Sequence, residues 1–206
     1  MILKHRILDV VFFGMLLFLA SCADSINNLS TEIYSIDGFS SSSLSRQGLA
    51  ILPTVEGDAS KSDAHTISGL LNGMIAKKIP AKSLVNSETI EQKIRDDTTM
   101  ATLWNQMEPH ISAHSVKGLE ATHSAGRILG VRYLLETQIQ MAEEAGGAEQ
   151  VRIFARIYDV ARGRIIWEGV GEGRGYVKLF FPSAPATFKD TATVAVRGVV
   201  SGIFSD

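Results

Sequence analysis

The chain of 206 residues contains one cysteine, Cys22, and a lone thiol cannot close an internal disulfide. Its chemistry must therefore be that of a free nucleophile, a metal ligand or a site of modification. Three histidines, His110, His114 and His123, invite a zinc reading, because His110 and His114 would share a helical face at i, i+4 beside Glu108. The competing reading is a solvated helix end after Pro109, and the spacing lacks the third and fourth matched ligands of a zinc site. No metal or cofactor is expected. Asp96 and Asp97 are adjacent in sequence only; helical neighbours point apart, so they would not share a proton. Ser, His and acidic residues occur without a Gly-x-Ser-x-Gly elbow, and nothing marks a nucleophile. The glycines at 169, 171, 173 and 175 lack dinucleotide-fingerprint spacing and do not sit in a strand-to-helix turn. The sequence therefore predicts no enzyme; a hydrolase is the third-ranked reading.

The surroundings of Cys22 explain it. Lys4 and Arg6 precede an apolar run from Ile7 to Leu19, and Leu19-Ala20-Ser21-Cys22 follows. A positive start, an apolar stretch and small residues form a secretory signal. Thirteen residues interrupted by Asp9 are too short to span a bilayer, which needs about 20. The tetrapeptide resembles the lipobox of bacterial lipoproteins, which implies cleavage before Cys22 and acylation of its thiol (diacylglycerol, then usually a further acyl chain such as palmitate). In such lipoproteins an Asp directly after the lipidated cysteine favours inner-membrane retention. Here that position is Ala23, so the resemblance implies the outer membrane, facing the periplasm. Loss of residues 1–21 removes Lys4, Arg6 and Asp9, leaving 18 basic and 21 acidic residues. That balance lacks the basic footprint of a nucleic-acid binder.

Residues 22–47, rich in Ser and Asn and including Ser40 to Ser43, read as a lipidated flexible tether. Extended, such a tether spans at most ~80–90 Å. Ile33, Tyr34, Ile36 and Phe39 could instead dock part of it. Residues 48–206 are expected to form one domain. Leu49 to Pro53 reads as a buried strand ended by proline. Ile67, Leu70, Leu71, Met74 and Ile75 recur at helical spacing. Ser83 to Val85 suits a second strand, and residues 87–96, 99–112 and 119–129 read as helices, the last capped by Gly130. Val131 to Met141, Val151 to Val160 and Arg164 to Val177 read as strands, the last two joined across Ala161-Arg162-Gly163. Ile165, Trp167 and the glycines should share one face of the last strand, with Ile166 on the other. A helix from Thr187 to Phe204, rich in small residues, should lie on the bare glycine face. Arg152, Phe154, Arg156, Tyr158 and Arg164 offer cations beside rings, an interface composition; the favoured alternative buries Phe154 and Tyr158 in the core. The expected fold is α/β, a two-layer sandwich of a small mixed sheet and helices, ordered β-α-β-α-α-β-β-β-α.

With its elements in that order, the chain resembles a group of envelope proteins: the curli secretion lipoprotein CsgG, the amino-terminal domain of TolB and the LpoB-like lipoprotein activators of penicillin-binding proteins. The resemblance rests on Leu49 to Pro53, on Gly126-Arg127-Ile128-Leu129-Gly130-Val131-Arg132-Tyr133-Leu134-Leu135, and on a hairpin carrying Asp159, Gly163 and Trp167. It covers residues 48–177. It implies a scaffold for protein contacts: an accessory in envelope assembly, secretion or cell-wall synthesis with an envelope protein partner. Binding of a small ligand or glycan between sheet and helices is the alternative. The partner and the oligomeric state are not readable from the residues.

Overall fold

The computed structural model describes residues 29–36, 38–57, 59–113, 115, 118–145, 148–177 and 184–205. The signal segment 1–21, Cys22 and His114 lie outside them. The elements are β1 (Leu29–Ser35), α1 (Ser42–Gln47), β2 (Leu49–Ile51), α2 (Lys61–Ile75), a 3-10 turn (Ala81–Ser83), β3 (Leu84–Val85), α3 (Ser87–Asp96), α4 (Thr98–Ser112), α5 (Leu119–Leu129), β4 (Tyr133–Ala145), β5 (Ala148–Asp159), β6 (Arg164–Arg174), β7 (Tyr176–Val177), β8 (Ala184–Pro185) and α6 (Phe188–Ile203). Six strands form one mixed sheet in the order β1-β6-β5-β4-β2-β3. β2 runs parallel to β3 and β4, and the other pairs are antiparallel. The α/β class matches the sequence reading, and the run of elements from β2 to α6 matches it roughly: the expected order has two helices between β3 and β4 where the structure has three, and the expected strand to Val177 breaks at Gly175 into β6 and β7, the latter pairing with β8 in a separate small sheet.

Three features differ. First, the sheet takes in residues assigned to the 22–47 tether. β1 pairs antiparallel with β6, and α1 anchors on fully buried Leu44 before Gly48 (φ 84°) turns the chain into β2. A polar edge strand needs only a neighbour's backbone ladder, so its order is invisible in its own hydropathy. Second, helices cover both faces, where two layers are expected. α2 and α6 pack on Leu49, Ile51, Leu135, Ile153 and Ile157, whereas α3, α4 and α5 pack on Ala50, Leu52, Leu134, Tyr158 and Val160. The reason is the handedness of crossovers. β2 to β3 and β3 to β4 progress in opposite directions across the sheet, so right-handed connections put their helices on opposite faces. Third, a bulge sets Tyr158 opposite Ile165 and Ile157 opposite Trp167. Ile166 is the extra residue and joins Trp167 in the core, while Ile165 turns to the α5 side. Strict alternation fails by one position at that point.

Local chemistry sets the helix ends. Ser60 with Asp63 and Thr187 with Asp190 form reciprocal capping boxes on α2 and α6. Asn86 caps α3, and Gly130 (φ 68°) ends α5. Pro109 does not interrupt α4; it occupies the last turn, with the helix continuing to Ser112. No helix among the described residues is long and apolar enough to cross a membrane.

Candidate functional site

The residues singled out from sequence take structural positions. Asp97 caps α4 by accepting from the amides of Thr99 and Met100, and Asp96 accepts from Gln92 one turn back. The pair shares no proton. His123 Nδ1 lies 2.7 Å from the carbonyl of Val160, which fixes that nitrogen as the donor. The His110 ring lies over Gly118. Among the described residues no group of His, Cys, Asp or Glu is arranged to hold a metal.

The glycine strand does what its bare face implies. A Cβ on Gly171 would fall 2.0 Å from the Ala195 carbonyl oxygen, and one on Gly173 would fall 2.0 Å from that of Thr191. α6 therefore lies directly on the β6 backbone. The Trp167 ring fills the space above Gly169 and reaches Gly202 of α6. Its indole Nε1 is buried without a hydrogen-bond partner among the described residues. The arginine and aromatic face of β5 is mostly interior. Phe154, Arg156 and Tyr158 are buried, whereas Arg152 and Arg164 are exposed. Burial pushes the Tyr158 hydroxyl up, and it donates to the carbonyl of Leu119 at 3.3 Å.

Two charged centres, neither evident from the sequence, tie the sheet to its surroundings. In one, Glu136, Arg156 and Glu168 sit side by side across β4, β5 and β6. The Arg156 guanidinium donates through Nε to Glu136, and through Nη1 to the Ser115 carbonyl at 3.3 Å. The Thr122 hydroxyl donates to Glu136 at 3.3 Å. Burial raises the Glu136 carboxyl above its ordinary range, Arg156 and Thr122 oppose this, and Glu168 adds to it. The centre ties α5 and the chain after α4 to the sheet.

The second centre lies where β4 and β6 begin. The fully buried Asp159 carboxylate takes a two-pronged contact from Arg132, Nε at 3.1 Å and Nη2 at 3.0 Å. It also accepts from the amides of Ala161 and Arg162 at 3.0 and 3.2 Å. This contact shapes the hairpin turn, together with Gly163 at φ 65°. The Arg162 guanidinium approaches the same carboxylate at 3.8 Å and is half-exposed. Both arginines border a cleft of about 170 Å³ whose far wall is Ile36, Phe39 and Gln47, from the segment expected to be tether. The Tyr133 hydroxyl donates to Gln47 across it at 3.1 Å. At the other end of the sheet, where ligands commonly bind in α/β folds, Thr54, Ser68 and Thr137 hydrogen-bond to one another and fill the exit of β2.

No family model and no curated protein matches the chain in sequence. Several solved structures are similar to it. A PelC dodecamer from Paraburkholderia phytofirmans matches over 85% of this chain and 98% of that one, at 11% identity and a TM-score of 0.54. Lipoprotein GNA1162 from Neisseria meningitidis matches over 78% and 99%, at 14% identity and a TM-score of 0.48. The LpoB C-terminal domain from Salmonella enterica, one of the group the sequence resembles, matches over 66% and 85%, at 16% identity and a TM-score of 0.37. At this identity the likeness to PelC is one of fold alone. The chain is similar in architecture to a PelC subunit.

Proposed function

We propose that this protein is an exported lipoprotein, held by acyl chains on Cys22 at the periplasmic face of the outer membrane. Its α/β domain works by contacting envelope proteins, without catalysis. The observation that carries the reading is the sole cysteine at the end of a signal-length apolar run, in the setting Leu19-Ala20-Ser21-Cys22. Several acyl chains give stable anchoring where a single chain would be marginal. The filled exit of β2 favours a scaffold over a ligand crevice at that end of the sheet. Because β1 begins seven residues after Cys22, the linking chain reaches at most ~25 Å. Partners are then met close to the anchoring bilayer. Other copies of this chain belong among the contacts to test, since the PelC relative in fold is a dodecamer.

Intact mass of membrane-extracted protein, wild type beside Cys22→Ser, tests the anchor. Expected is a mass for residues 22–206 plus acyl groups, absent from the variant; an unmodified soluble product ends the lipoprotein reading. Affinity capture of the lipidated protein from crosslinked envelopes should enrich a defined partner or the protein itself. Background proteins alone would count against a scaffold, and turnover in a broad hydrolase panel would replace it with an enzyme.

A further inference from the structure

Among the described residues, the cleft beside Asp159 carries more positive than negative charge. Two guanidinium groups, Arg132 and Arg162, face one carboxylate, and no acidic residue is among the described residues lining the cleft. Asp159 accepts at Oδ1 from Arg132 Nε and from the amides of Ala161 and Arg162, and at Oδ2 from Arg132 Nη2. Among the described residues, Arg132 Nη1 and one Nη2 hydrogen have no hydrogen-bond acceptor, and the guanidinium lies over the Tyr133 ring, 5.4 Å from its centroid. Arg162, at 3.8 Å, lies beyond hydrogen-bond distance from that carboxylate. Gln47 accepts from Tyr133 through Oε1, so its amide NH2 remains a donor. Ile36, Phe39, Tyr133 and Ile166 give the rest of the lining an apolar character, with Gly38 and Ser43 completing it. Apolar walls lower the local dielectric and strengthen any ion pair made there.

We infer that this cleft is a binding site for one oxyanion, a carboxylate or phosphate, carried on a molecule with an apolar portion. One negative charge neutralises the excess of one guanidinium. The planar forks of Arg132 and Arg162 match paired oxygens on a carboxylate or phosphate, and Asp159 keeps Arg132 oriented before the ligand arrives. The volume suits a head group only, so the rest of the ligand projects past Phe39 into solvent or toward the bilayer. The inference does not depend on lipidation of Cys22, because the residues involved lie within the described domain.

Isothermal titration of the chain from residue 22, carrying Cys22→Ser for solubility, with sodium phosphate and with acetate tests the site. The titration is repeated in Asp37→Asn, so that the carboxylate next in sequence to Ile36 and Gly38 cannot hide it. Expected is saturable one-site binding of at least one anion, weakened at least tenfold by Arg162→Ala. The ligand-free melting temperature should not change, since Arg162 is 56% exposed. Arg162→Lys should bind with intermediate affinity. Lack of saturable binding in both backgrounds, or equal affinity in Arg162→Ala, overturns the inference. Vesicles then identify the source: Arg162-dependent retention on phosphatidylglycerol but not phosphatidylcholine assigns a lipid head group. Binding of free anion without such retention assigns a soluble one.

Discussion

Arg156 illustrates how much one residue can carry on a sheet face. It is 3% exposed and its main partner, Glu136, is 1% exposed. A buried pair is not strongly stabilising in itself, but removing one member strands the other. Arg156→Ala should therefore cost about 3–5 kcal/mol near pH 7 by denaturant unfolding. The Glu136 carboxyl is raised above its unfolded value by burial, so the folded state holds its proton more tightly. This contribution to stability is fully present below the unfolded pKa, about 4.3. It is lost as pH rises through the raised folded value. Without Arg156, which opposes the shift, that loss should be larger. The penalty of Arg156→Ala should thus shrink when unfolding is measured below about pH 4; a penalty independent of pH would mean that Glu136 does not govern it. The i, i+4 spacing that invited a zinc reading joined His110 to His114, and the sequence ranked that reading below a solvated helix end; His114 lies outside the described residues. Tertiary contacts show His123 spent on the Val160 carbonyl.

The contact of β6 with α6 was readable as an element-level match, a strand with one bare face and a helix rich in small residues. The structure supplies the distance that makes it binding on the sequence. Gly171→Ala, and more so Gly171→Leu, pushes against a backbone carbonyl that cannot move without the helix. Overpacking of this kind costs about 1–3 kcal/mol or more, read as a lowered melting temperature. The opposite sign is expected on α2. Gly69 and Gly73 are exposed in mid-helix, and a Cβ on either would meet nothing within 4 Å. Gly69→Ala should raise stability by about 0.5–1 kcal/mol, the helix-propensity difference. No gain would indicate that this face is packed against something in solution. β1 was the element least legible from sequence. Its side chains at 31–35 are exposed, and its place is fixed by the ladder to β6.

At the scale of the molecule, β1 shortens the chain between Cys22 and the sheet from the ~80–90 Å reach of a 25-residue tether to ~25 Å. If Cys22 is acylated, crosslinkers at β1 should capture lipid or membrane-proximal protein. Inserting about 20 flexible residues after Asp24 should then leave melting unchanged while relaxing that pattern; an unchanged pattern would argue that docking, not chain length, sets the position. The sequence by itself determined, in outline, the run of elements from β2 to α6 and the need for close packing on the glycine strand, and it supplies the setting of Cys22 on which the proposed anchor rests. These are local matters: residue type, period and turn chemistry write them directly into the chain. Tertiary structure alone decided the edge strand, the division of helices between two faces, the bulge at Ile166 and the two charged centres. Each depends on residues far apart in sequence, such as Glu136 with Arg156 or Gln47 with Tyr133. A single chain without its partners in space carries no local mark of such pairings, because strand register and crossover handedness create them only when the sheet closes.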